Sequence, residues 1–210
     1  MTEAMDDQVF DAALIGAGFA QIARDGWAGF SVARAARDAG LDLARARRRF
    51  PGRVAFLLRF GAIADQAALG AEAGTGTTQE RLFDAIMRRL DVFQAHRAGV
   101  LALLRALPAD PASALLLSCA SLTSMGWLLA SAGVAEAGPL GLARRKGLLG
   151  VWLWTLRAWS RDTTEDMAPT MAALDTALSR AAQIARSMPG GSGGDETQDD
   201  AGGATQPSPE

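Results

Sequence analysis

Apolar residues recur along most of the chain at spacings of three and four, the pattern of helices that turn one face to a core. Phe10, Leu14, Ala17 and Ile22 make the first such stripe and predict a helix from about Asp7 to Arg24, closed by Asp25-Gly26-Trp27. Ser31 stands where an N-cap belongs, ahead of a short helix that ends at Gly40, a residue suited to the left-handed turn after a helix. Asp42 caps a third short helix reaching about Phe50. Pro51 cannot continue it but suits the first turn of the next. Residues 70–79 read as a Gly/Thr-rich linker. Beyond it, further helical patterns run from Glu80 to Leu107, after Pro108, after Pro139, and from a cap at Thr163 or Thr164 to Met188. No stretch alternates in the manner of a strand, so the fold class is all-α.

Charge changes this picture locally rather than globally. The formal net charge is −2, yet Leu43 to Phe60 hold six arginines and no acid, while Pro189 to Glu210 hold five acids and no base. Such an asymmetry suits a basic patch meeting a polyanion. The Gly-rich acidic segment 189–210 is expected to be disordered. One cysteine, Cys119, excludes an intramolecular disulfide, and one histidine, His96, leaves little for a zinc site or a serine triad. The acidic opening is not a signal sequence, and the longest apolar stretches look too short or too interrupted to span a bilayer. A soluble cytoplasmic protein is expected, with no cofactor.

The spacing of residues 31–50 predicts a helix-turn-helix. Two short helices can cross steeply at a glycine turn only where small residues meet, and Ala35, Ala36 and Ala39 precede Gly40, with Leu41 plugging the turn. On the following helix Ala46 and Phe50 share one face, so Arg48 points away from it, with Arg45 and Arg47 alongside. A small, cationic outer surface suits a DNA major groove, with guanidinium forks on phosphates or guanine edges.

With those residues in place, residues 10–60 resemble the N-terminal domain of the TetR family of bacterial transcriptional regulators. The match rests on Gly26-Trp27, on "FSVARAARDAGL" at 30–41 and on "RRRF" at 47–50, with Gly40, Leu41, Arg48 and Phe50 in register. The sequence departs from the family pattern at Arg47, where a phosphate-contacting tyrosine is usual, at Arg49, which replaces histidine, and at Leu43, where a polar residue is usual. The resemblance implies a homodimeric, ligand-responsive repressor on a palindromic double-stranded DNA operator. Residues 7–60 would form the DNA-binding domain and residues 61–188 a helical ligand-binding and dimerisation domain. Ser31, Arg45, Arg47, Arg48, Arg49 and Arg53 would contact DNA. The last two helices would dimerise through Val151, Trp154, Ala158, Leu174 and Leu178. These helices also resemble TetR-fold accessory proteins of ubiquinone biosynthesis, which bind lipid rather than DNA, and that resemblance supplies the rival function.

The helix around 148–161 is apolar on two faces: Leu148, Trp152, Leu156 and Trp159 on one, Val151, Trp154 and Ala158 on the other. One face would meet the chain's own core and one a partner. Met87, Phe93, Met125, Trp127 and Trp152 are candidates to line a cavity for a small apolar or aromatic effector. "GAGFAQ" at 16–21 lacks the third glycine of a dinucleotide fingerprint and reads as helix interior, with close packing at Gly16 and Gly18. Cys119 reads as a small buried hydrophobe, His96 as a surface or capping residue, and Asp162, Glu165 and Asp166 as charges at a helix N-terminus. No enzyme is indicated.

Overall fold

The computed structural model describes residues 2–70, 76–135 and 138–187, so the acidic segment 189–210 and half of the expected linker (71–75) lie outside the described residues. Among the described residues there are nine α-helices, one 3₁₀ turn (Leu107–Ala109) and no strand. The first is α1 (Thr2–Gly29), longer than its apolar stripe because the polar residues before Phe10 continue the helix. Its regular course breaks at Gly26, whose φ of 71° is open to glycine without strain.

Helices α2 (Val32–Asp38) and α3 (Leu43–Arg49) follow. The turn between them closes with Gly40 N–H donating to Arg37 O (3.0 Å) and Leu41 N–H to Ala36 O (2.8 Å), a Schellman arrangement with Gly40 at φ 65°. Ala35, Ala36 and Ala46 are buried at the crossing and Phe50 is fully covered beneath it, while Ala39 is exposed. Ala39 is the last residue before the glycine, where the backbone has already turned outward. Asp42 caps α3 by accepting from Arg45 N–H.

Helix α4 (Arg53–Leu69) starts two residues later than the proline suggested, because Gly52 takes the N-cap position and leaves Pro51 outside. It runs unbroken through residue 60. Helix α5 (Thr78–Gln94) opens on a capping box between Thr77 and Glu80. The pattern expected to run from Glu80 to Leu107 divides at Ala95-His96 into α5 and α6 (Arg97–Ala106). His96 leaves helical geometry there and stacks on Phe19 with centroids 5.3 Å apart.

Helix α7 (Pro111–Ser131) begins at a proline behind the N-cap Asp110. It is long and apolar enough, by length and composition, to cross a membrane. Here it lies against α4, α5 and α8 with Met125, Leu128 and Leu129 buried. Because α7 is apolar all round, some of its apolar residues must face outward. Cys119 is one of these and is exposed rather than buried. Helices α8 (Gly138–Arg161) and α9 (Ala168–Ser187) pack against each other, and α9 starts later than a Thr163 or Thr164 cap would place it. The intervening loop is tied instead by Asp162, which accepts from the N–H and hydroxyl of both Thr164 and Thr170.

The core is threaded by aromatic rings. Phe50 meets Phe56 (6.2 Å), Phe56 meets Phe19 (5.3 Å), Phe19 meets Phe60 (4.5 Å), Phe60 meets Phe93 (4.9 Å) and Phe93 meets Trp152 (5.3 Å). The chain of rings thus runs from the end of α3 to α8. Gly18 is where α1 meets it, since a Cβ there would lie 2.4 Å from Phe56; Gly16 has open space instead. Gly99 lets α6 lie directly on α1, where a Cβ would come within 2.3 Å of Phe19 O.

Candidate nucleic-acid interface

Five arginines fall within residues 45–53, and the fold sorts them by helix face. Arg45 and Arg49, one helical turn apart, turn towards the start of α1. Arg45 pairs with Asp6 (2.9 Å) and Asp7, and its guanidinium lies 4.6 Å from the Phe10 ring centroid. Arg49 grips Asp11 with two bonds, Nε to Oδ1 at 2.5 Å and Nη2 to Oδ2 at 2.7 Å, and also reaches Asp7. Arg59 of α4 donates to the same Asp11 at 2.6 Å.

Asp11 is only 1% exposed. Burial works to raise its carboxyl pKa, but the hydrogen bonds from Arg49 and Arg59 outweigh that and hold it below the ordinary range. The Arg45 hydrogen bond likewise lowers Asp7. In return Asp7 raises Arg45, and Asp11 raises Arg49. These acids fix the pose of α3 on α1.

Arg53 faces the end of α1. It donates to Phe30 O (2.9 Å) and Ala28 O, and its guanidinium carbon lies 5.4 Å from the Trp27 ring centroid. Arg47 and Arg48 remain on the outer face. Arg47 is exposed and donates to Pro51 O; Arg48 is exposed and makes no ion pair or hydrogen bond among the described residues. Ser31 occupies the N-cap position of α2 without a side-chain cap bond, half-buried. Beside it lies a concavity of about 380 Å³ between the start of α2, α3 and the Phe50–Arg53 turn, with Val32, Leu43, Arg47 and Pro51 in its lining. Leu43 is 46% exposed, at the outer edge of α3.

The second half gathers some of the expected ligand residues and separates others. Phe93 and Trp152 touch edge to face, Met125 and Trp152 are buried, and Met87 is half-buried. Trp127 is 65% exposed on the outer side of α7, away from that group. Among them sits a buried charge, Arg89, with its guanidinium 4.9 Å from the Trp152 ring centroid. It pairs with Asp65 of α4, which also accepts from the Ser124 hydroxyl at 2.6 Å. Burial pulls the Arg89 pKa down to about 10. Of the residues considered for dimerisation, Val151, Leu174 and Leu178 are buried within the monomer, Ala158 is half-buried and Trp154 is 55% exposed. Leu153 on α8 and Ile184 on α9 are exposed as well.

A joint between the two halves escaped sequence reasoning. The Trp27 indole N–H donates to Asp110 Oδ2 at 3.0 Å, tying the end of α1 to the cap of α7. Hydrogen bonds from Ser113 and Trp27 lower the Asp110 carboxyl pKa. The cap itself was visible as Asp110-Pro111, but nothing local marks its partner 83 residues upstream.

A three-helix unit with a glycine-turned helix-turn-helix, followed by a larger helical bundle, defines an all-α helix-turn-helix architecture. The fold is TetR-like: a solved structure described as the TetR transcriptional regulator from Nitrosomonas europaea ATCC 19718 superposes with a TM-score of 0.67. The match covers 82% of this chain and 98% of that one at 18% identity. Neither protein-family models nor curated protein sequences give a match.

Proposed function

We propose that this chain is a cytoplasmic DNA-binding transcriptional regulator, a ligand-responsive repressor that binds a palindromic operator as a homodimer. One observation carries the reading. Arg48 and Arg47 stand on the outer face of a well-formed second helix, while Arg45 and Arg49 are spent on holding that helix in place. Arg47 and Arg48 are the groove-reading pair. Ser31 and Arg53 both line the adjoining concavity, where the phosphate backbone would run. Arg45 and Arg49 contribute chiefly by orienting α3.

Dimerisation would use the outward residues of the last two helices, Trp154, Ala158 and Ile184, with Val151, Leu174 and Leu178 supporting them from inside. A small apolar or aromatic effector would act near Met87, Phe93, Met125 and Trp152. The Asp65–Arg89 pair, which ties α4 to α5, is placed to sense a shift there and relay it to the DNA-binding half.

The test is binding of the purified protein to its own upstream DNA across a series of salt concentrations, beside Arg47→Ala/Arg48→Ala. Sequence-selective binding should fall steeply with salt. The double variant should bind at least tenfold more weakly, with a salt slope lower by about 1 for each phosphate contact removed. Weak binding, indifferent to sequence and to both arginines, would sink the regulator reading.

A further inference from the structure

Helices α6 and α8 hold seven basic residues and not one Asp or Glu between them. Residues of both helices line an open groove of about 330 Å³. Its floor is Leu101, Leu104, Leu153 and Leu156, and its two charges are Arg105 and Arg157. Both arginines are exposed, and neither makes an ion pair among the described residues. The nearest acid along the chain from α8, Asp162, is 6% exposed and occupied by Thr164 and Thr170.

Arg97, at the start of α6, fixes the two helices together at the end of α8 by donating to Trp159 O (3.0 Å) and Asp162 O. The Ser160 hydroxyl donates to Arg157 O and keeps its lone pairs free at the groove edge. On α8 the lining residues 153, 156, 157 and 160 form one stripe about 10 Å long at 1.5 Å per residue. Trp154 and Ala158, the residues assigned to dimerisation, lie on the neighbouring stripe.

An apolar floor under two uncompensated guanidiniums is complementary to one kind of small molecule. We infer that the α6–α8 groove binds a single-chain amphipathic carboxylate, its chain on the four leucines and its head between Arg105 and Arg157. The site is distinct from the Phe93–Trp152 region of the core. Because Gly99 seats α6 directly on α1, a chain wedged along α6 presses on the helix that carries the Asp7 and Asp11 anchors. That regulatory consequence rests on the repressor reading; the binding itself does not.

The experiment is calorimetric titration of the full chain with monomeric decanoate, beside Arg105→Glu/Arg157→Glu. Decanol and anionic phosphatidylglycerol vesicles serve as further ligands. Saturable binding near one decanoate per chain is expected, weakened at least tenfold in the double variant and at least tenfold weaker for decanol. Both arginines are exposed and unpaired, so the variant should keep the wild-type circular dichroism and Tm. Leu153→Gln puts a polar side chain into the floor without altering either charge and should weaken binding similarly.

Equal affinity in the double variant, equal affinity for decanol, or binding to vesicles alone would each overturn the inference. So would a double variant that is monomeric where the wild type is a dimer, since the groove would then be a subunit contact. Failure of the wild type to bind DNA would sink the regulator reading and leave these titrations unaffected.

Discussion

At the scale of single residues, the arginine cluster divides into anchors and outward cations. Asp11 is almost fully buried and held by Arg49 and Arg59, so Arg49→Ala removes one arm of a buried ion network. A loss of about 3 kcal/mol is expected, the low end for breaking a buried pair, because Arg59 remains. Arg48→Ala, by contrast, should leave Tm within about a degree of wild type; chemical denaturation of the two variants distinguishes the anchor from the outward cation. The buried carboxylates also set the acid limit. Burial opposes the charged form of Asp162, yet bonds from Thr170 and Thr164 lower its pKa to about 2. Asp7 and Asp11 are shifted in the same direction. A depressed folded-state pKa gives stability that is complete above the unfolded value and lost as pH falls towards the folded one. Stability should therefore hold down to about pH 4 and decline steeply towards pH 2, with Asp162→Asn flattening part of that decline in a pH series of thermal melts. The sequence displayed every one of these arginines but not this sorting, because their carboxylate partners lie 38 residues or more upstream along α1.

At the scale of elements, local chemistry was legible wherever it completed itself locally. The Gly40 turn, the Asp42 cap and the buried Ala46–Phe50 face follow from spacing and residue type, and the structure shows each of them. The Thr77-x-x-Glu80 capping box was equally visible in the letters but was absorbed into a Gly/Thr-rich stretch. The division between α5 and α6 was less accessible. The apolar period continues across it, and the break depends on His96 finding Phe19 on another helix. Cys119 shows the reverse limit, since a helix apolar on every side offers no pattern to say which side faces out. A close helix crossing also comes from tertiary structure: α6 rests on α1 at Gly99. Gly99→Ala must move Phe19 or separate the helices, at a cost of about 1–3 kcal/mol for overpacking. Gly16→Ala, with open space around it, should be neutral or slightly stabilising. Urea unfolding of the two variants should place them on opposite sides of wild type or nearly so.

At the scale of the whole molecule, the two halves share helix α4 and the rings that cross it. Phe56 and Phe60 on α4 join Phe50 and Phe19 of the first half to Phe93 and Trp152 of the second. Calorimetry should therefore show one unfolding transition, and a fragment ending at residue 60 should fail to fold on its own, since it would cut α4 midway and bare the Phe60 ring. Two separate transitions would contradict this. The joint between Trp27 and Asp110 adds an optical handle. The chain has five tryptophans and no tyrosine, and Trp27 is the single indole before residue 127. Its near-ultraviolet emission, isolated as the difference between wild type and Trp27→Phe, reports on the surroundings of that indole, the Asp110 bond and the Arg53 guanidinium included. A shift of that difference spectrum on adding decanoate would show by light alone, in a protein carrying no dye, that the surroundings of this joint change when the ligand binds.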